Sequence, residues 1–356
     1  MTSPASVVRL RRLLRVLAAV FLAAALLYGL GPFLGALPLV GGELAGLEAF
    51  FAELPFVSNS VVKVLLLGLC CLYAAGDPGG RHGLVAIVIA GHLVSLAAML
   101  VLILSGTAGG PVPGLPWDER TVLWAAVGLD GVITLVLLVF YLPAVGDLRE
   151  MAGRRPEPDE GPLAGPERLL RGVLYALGAG FALAAVAYEA GPMAAATAGY
   201  FGELPFVTNS VVKVTLLAMV CVWVARDFRA RLGVMYLPVA AHLVSAAVLL
   251  LYLPAAPAGT VELGFLATGH VTLLAGAAGL DLAIFVLLLV LTQRAWFARD
   301  ELQFLRPIEY RTLVALADVL VEGDEEVVPP GDVAANVDSY LSRVRAERRR
   351  FHRWAL

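Results

Sequence analysis

The chain has 356 residues, 60% of them hydrophobic and only 15% charged, with a formal net charge of −3. Its mean hydropathy of +0.83 lies outside the range of a soluble domain, so it reads as an all-α polytopic membrane protein without a basic surplus for nucleic acid. Cys70, Cys71 and Cys221 fall inside apolar runs with no CxxC or Cys/His spacing, which points to packing and excludes a disulfide framework and a sequence-encoded metal site.

Crossing about 30 Å of hydrocarbon at about 1.5 Å per residue takes roughly 20 apolar residues. Such stretches occur near 13–34, 57–75, 84–105 and 120–143, and again near 168–188, 207–225, 234–254 and 268–292. Arginine is concentrated at the N-terminus (Arg9, Arg11, Arg12, Arg15) and in alternate loops at Arg81, at Arg149, Arg154 and Arg155, and at Arg226, Arg229 and Arg231. Cytoplasmic loops are enriched in this way, so eight crossings of the inner (plasma) membrane with both termini cytoplasmic are expected. The corresponding segments are a first four-helix repeat over 1–145, a linker over 146–167, a second four-helix repeat over 168–292 and a helical cytoplasmic tail over 293–356. A basic segment before an apolar one also fits a cleavable signal. Against that, FLAAALLYGLGP at 21–32 is echoed by FALAAVAYEAGP at 181–192, deep in the chain.

Residues 51–95 match 201–245 without a gap at an offset of 150. Apolar positions differ between the copies, while the polar pairs are kept: Glu53/Glu203, Asn59/Asn209, Ser60/Ser210, Lys63/Lys213, Asp77/Asp227, Arg81/Arg231, His92/His242 and Ser95/Ser245. GLD at 128–130 returns at 279–281, and Lys63 and Lys213 are the only lysines in the chain. Repeats of four spans each point the same way, so a pseudo-two-fold axis along the membrane normal is expected.

Depth ranks these residues. Asn59 or Ser60 is expected to cap the second span with Pro55 ending the segment before it, which puts Lys63 about 9 Å inside. His92 lies about 13 Å from one boundary and Asp130 about 15 Å from the other, near the midplane. An ionised group there costs about 2.5–3.5 kcal/mol, so each should face protein and find a partner. The simplest arrangement pairs Asp130 with His92 or Lys63, and Asp281 with His242 or Lys213. Asn59, Ser60, Ser95, Asn209, Ser210 and Ser245 support this midplane site. Three readings of the lysines stay open: an ammonium lifted to the headgroups, an ion pair between helices, or proton and substrate handling. For the histidines, a helix-to-helix hydrogen bond, a proton relay, and paired axial ligation of haem b across the pseudo-axis all stay open. Asp77 with Arg81 and Asp227 with Arg231 read as salt bridges at turns, and Glu53 and Glu203 as solvated loop residues.

After the eighth span the chain becomes charged. A helix is expected over 308–321, and Val333, Val337, Tyr340, Leu341 and Val344 mark a second one after Pro329, Pro330 and Gly331. Arg343, Arg345, Arg348, Arg349, Arg350 and Arg353 suit anionic lipid headgroups. The stretch YRTLVALADVLVEGDEEVVPPGDVAANVDSYLSRV resembles the small subunit of membrane-bound gluconate 2-dehydrogenase and the segment ahead of the flavin domain in some GMC-type alcohol oxidases. That resemblance implies a cytoplasmic flavoprotein partner carrying the active site, with no catalytic residue on this chain. The four-span repeat is similar to the DoxX-like membrane family, which is associated with quinone-linked redox chemistry.

The leading expectation is therefore a membrane partner or anchor of a cytoplasmic redox enzyme, handling quinone or protons at the midplane site. An ion- or proton-coupled carrier is the alternative, with Pro238 and the glycines beside both aspartates permitting helix breaks, and a structural scaffold is the third. No phosphate loop, dinucleotide fingerprint or nucleophile elbow is present in the sequence.

Overall fold

The architecture is that of a computed structural model, which describes residues 4–36, 54–112, 115–153, 165–194, 204–256, 259–263, 266–299 and 311–314, together with Val333 and Val337. Among the described residues, eight helices are long and apolar enough to cross a membrane. They are α1 (Ala5–Leu30), α2 (Leu54–Gly76), α3 (His82–Leu104), α4 (Glu119–Tyr141), α5 (Gly165–Ala190), α6 (Leu204–Arg226), α7 (Tyr236–Tyr252) and α8 (His270–Arg299). The chain is thus an all-α, multi-pass membrane protein, and each expected span has its helix.

Several local expectations change. Helices α2 and α6 begin at Leu54 and Leu204, with Pro55 and Pro205 as their second residues. Proline fits there because the first N–H groups of a helix have no intrahelical acceptor. Asn59 and Ser60 therefore lie in the second turn and do not cap the helix, and Lys63 sits about 14 Å along α2. Pro238 is the third residue of α7 and is tolerated for the same reason. Helices α4 and α8 continue past Gly128, Gly131 and Gly279, so the expected breaks beside the aspartates do not form. Between α7 and α8 lies an antiparallel hairpin, β1 (Thr260–Leu263) with β2 (Leu266–Gly269), in the register Thr260↔Gly269. The sequence reading missed it, although Thr260 and Val261 favour a strand and Gly264 follows directly.

Burial sorts the helices. In α2 and α6, 78% and 72% of the span is buried, against 56% in α3 and α7, 22% in α1 and α4, and 17% in α5 and α8. Helix α2 packs against α1, α3, α6 and α7, while α6 packs against α2, α3 and α4. The outer helices bury one narrow stripe each: in α1 it is Val7, Leu10, Leu14, Ala18, Phe21 and Ala25, recurring at three and four residues. Val16, Val20, Leu26 and Leu27 cover the opposite face, where lipid takes the place of protein.

Small residues set the closest approaches. A Cβ at Gly68 would lie 3.1 Å from Leu22 and 3.3 Å from the Ala18 carbonyl, and one at Gly178 would lie 2.8 Å from Val222 and 3.5 Å from the Ala218 carbonyl. The glycine stands on α2 in one contact and on α5 in the other, with alanine opposite each time, so either order of the small pair lets the two backbones meet.

Met1–Asp159 and Leu174–Val286 form one compact unit, which holds the polar cluster. Glu160–Val173 and Leu287–Leu356 form another, in which Arg311 lies over the Trp296 ring at 4.1 Å. Residues 311–314 are helical, as are Val333 and Val337. The rest of the expected tail helices, including Tyr340, Leu341 and Val344, the arginines from Arg343 to Arg353, and the loop residues Glu53 and Glu203 all lie outside the described residues.

Candidate functional site: a doubled Lys/Asp/His cluster

The polar cluster is built on the contact between α2 and α6. Asn59 donates from Nδ2 to Ser210 Oγ at 3.0 Å, and Asn209 donates from Nδ2 to Ser60 Oγ at 3.1 Å. The amide oxygens take the lysines of the opposite helix: Lys63 Nζ donates to Asn209 Oδ1 and Lys213 Nζ to Asn59 Oδ1, each at 2.7 Å. Asn and Ser at this depth would otherwise carry unmet polar groups in hydrocarbon, and each side chain finds its partner on the neighbouring helix.

Each ammonium also turns back into its own half. Lys63 Nζ donates to Ser95 Oγ at 3.5 Å and Lys213 Nζ to Ser245 Oγ at 3.2 Å. Relative exposure is 8% at Lys63 and 6% at Lys213, so neither ammonium is lifted to the headgroups. Burial removes the water that would stabilise these charges, and the nearest compensating charges are Asp130 for Lys63 and Asp281 for Lys213.

The carboxylates engage serine and histidine. Ser245 donates to Asp281 Oδ2, and Ser95 hydrogen-bonds Asp130. His92 Nδ1 meets Asp130 Oδ1 at 3.0 Å and His242 Nδ1 meets Asp281 Oδ1 at 2.7 Å. The expected pairing of aspartate with histidine is therefore present in both halves, with lysine joined through serine. Asp130 is 8% exposed and faces the bundle, as the depth argument required.

An ionised carboxylate only accepts, so the neutral imidazole beside it carries its proton on Nδ1 and presents a lone pair at Nε2. Both Nε2 atoms are buried without a hydrogen-bond partner. Phe21 stacks on His92 with ring centroids 5.7 Å apart, and Phe181 stacks on His242 at 5.6 Å. Tyr188 hydrogen-bonds Asn59, extending the second-half chain toward the helix end at Leu204. That chain runs Tyr188, Asn59, Lys213, Ser245, Asp281, His242.

The aromatic members were not singled out from the sequence. The signal was there in the 21–32 and 181–192 echo, where Phe21/Phe181 and Tyr28/Tyr188 are kept seven residues apart on one helical face.

Each histidine is held by an aspartate and stacked on a phenylalanine, while α3 packs on α6 and α7 on α2. No group of three or more His, Cys, Asp or Glu among the described residues is arranged to hold a metal ion. At the turns, Asp227 and Arg231 form the expected ion pair at 3.1 Å. Asp77 accepts from the Gly80 N–H at 3.2 Å, and Arg81 donates to the Tyr73 carbonyl, also at 3.2 Å. No family model, curated protein or solved structure matches the chain.

Proposed function

We propose that the protein handles protons within the plasma membrane, as an ion- or proton-coupled carrier whose two Asp/His pairs are the acid–base groups. The observation that carries this reading is the open end of each chain: a Lys–Ser–Asp–His series of hydrogen bonds finishing at an imidazole Nε2 that is buried and unpartnered. A cluster serving only to fix helix packing would satisfy its members, because each unmet polar atom in a low-dielectric interior is costly. With Nδ1 held by the carboxylate, Nε2 is the ring atom left to accept or pass on a proton.

The supporting architecture is a pair of four-helix repeats of the same polarity, related by a pseudo-two-fold axis along the membrane normal, with both termini cytoplasmic. Support comes from the reciprocal bonds of Asn59, Asn209, Ser60, Ser210 and the lysines, which map onto one another when the halves are exchanged. Parallel repeats of this kind place polar sites near the midplane at the repeat interface.

The test is purified protein in liposomes with a trapped pH dye and an imposed potassium diffusion potential. Proton entry should exceed that of empty vesicles and fall at least about tenfold in the Asp130→Asn/Asp281→Asn double variant, as expected when an acid–base group is lost. Entry equal to that of empty vesicles ends the reading. A second reading, the membrane partner of a cytoplasmic flavoprotein, is favoured by the tail sequence from Tyr310 to Val344. Co-purification of a flavin-containing protein from native membranes would support it.

A further inference from the structure

The echo of residues 21–32 at 181–192 keeps its phenylalanine, tyrosine, glycine and proline but changes Gly29 to Glu189. Nothing lies within 4 Å of a Cβ built at Gly29, so packing does not demand glycine in the first half. The carboxyl in the second half is an addition and not a relief of crowding. Both Glu189 oxygens are buried without a hydrogen-bond partner. Among the described residues, the titratable groups of the second-half chain have other partners. Tyr188 bonds Asn59, Lys213 is held by Asn59 and Ser245, Asp281 by His242 and Ser245, and Tyr252 donates to the Tyr28 carbonyl at 3.5 Å.

An ionised carboxylate buried with neither oxygen hydrogen-bonded is among the most costly groups to bury, whereas the neutral acid has only its O–H to satisfy. We propose that Glu189 is an additional proton-binding site, a neutral carboxylic acid one residue from the second-half chain, which the first half lacks. The two halves then bind unequal numbers of protons, and the unpaired one sits beside Tyr188.

A hydrophobic carbodiimide tests this directly, because it reacts with a neutral acid in apolar surroundings. The acid proton passes to a carbodiimide nitrogen as the carboxyl oxygen bonds the central carbon. The acyl group then shifts from oxygen to nitrogen, leaving a stable N-acylurea with no change of oxidation state. Full-length protein in liposomes would be treated with dicyclohexylcarbodiimide and its peptides analysed by mass spectrometry. The expected result is an adduct on Glu189, absent in Glu189→Gln, that falls at least about tenfold between about pH 5 and about pH 9 as the acid ionises. No adduct on Glu189, or an equal yield at both pH values, overturns the proposal. Labelling needs no transport: an adduct without proton flux removes the carrier reading alone, and flux without an adduct removes Glu189 alone.

Discussion

In the first half Lys63 reaches Ser95 at 3.5 Å and His92 meets Asp130 at 3.0 Å, whereas in the second half Lys213 reaches Ser245 at 3.2 Å and His242 meets Asp281 at 2.7 Å. The residue types are the same, yet the second set is drawn closer together. What surrounds them differs: the position of Leu102 on α3 is taken by Tyr252 on α7, and Gly29 is answered by Glu189. Tyr252 belongs to a packed cluster with Leu54, Val57, Val207, Leu249, Leu274 and Ala278 at one end of the bundle. Leu102 packs in a separate cluster with Met99, Ile103, Leu123 and Leu204. The same residue types thus occur in two sets, and differences in their surroundings make the sets unequal.

The comparison breaks most sharply at the aspartates. Removing the carboxylate leaves a buried ammonium and an imidazole without their charge partner, which should cost about 3–5 kcal/mol of stability. Asp281→Ala should unfold in detergent at a lower temperature than Asp130→Ala, because the tighter half loses more. Equal losses would mean that the distance differences carry no energy.

A smaller effect sharpens the link between the halves. Asn59→Ala removes the acceptor of Lys213 and the donor to Ser210 together, a loss of about 1–3 kcal/mol. Ser210→Ala should be non-additive with it by about 0.5–3 kcal/mol, as for side chains in one network. Additive losses from a double-mutant cycle would show that the two helices do not communicate through this bond.

The smallest effect is expected at the start of α4, whose capping hydrogen bonds do not involve the cluster. Asp118 caps α4, accepting from the Thr121 N–H at 2.8 Å, and Glu119 Oε2 accepts from the Gly109 and Gly110 N–H groups at 3.1 Å and 3.0 Å. Hydrogen bonds from Thr121, side chain first and backbone next, hold the Asp118 carboxyl below its usual range. A carboxyl lowered in the folded state contributes stability above its unfolded pKa and loses it as pH falls through the folded value. Amide exchange at the start of α4 should therefore quicken only below about pH 4. Asp118→Asn should keep the cap and abolish that pH dependence, and exchange that still quickens in this variant would assign the effect to another group.

Much of the site was legible before any coordinates. Charged residues are so costly at the bilayer centre that His92, Asp130 and their counterparts were expected to face protein, and depth alone brought Asp and His to one level. Helical rise could not say which neighbour each would choose. It placed Asn59 and Ser60 at a cap because Pro55 looked like a stop, when a proline one residue inside the helix start is equally acceptable to the backbone. It left the lysines free to reach the surface, because stem length permits that and only the presence of an Asn oxygen at 2.7 Å forbids it.

What the amino-acid order determined by itself was the number of spans, their lengths and the duplicated list of polar side chains, since hydrophobic length and the cost of intramembrane charge are properties of each segment alone. Tertiary packing decided the rest: that α2 and α6 lie at the centre, that each lysine is held by an asparagine of the other half, and that each imidazole is locked at Nδ1 and open at Nε2. Those outcomes depend on which helix faces meet, and the faces are chosen by the summed fit of small residues and hydrogen bonds across several helices at once.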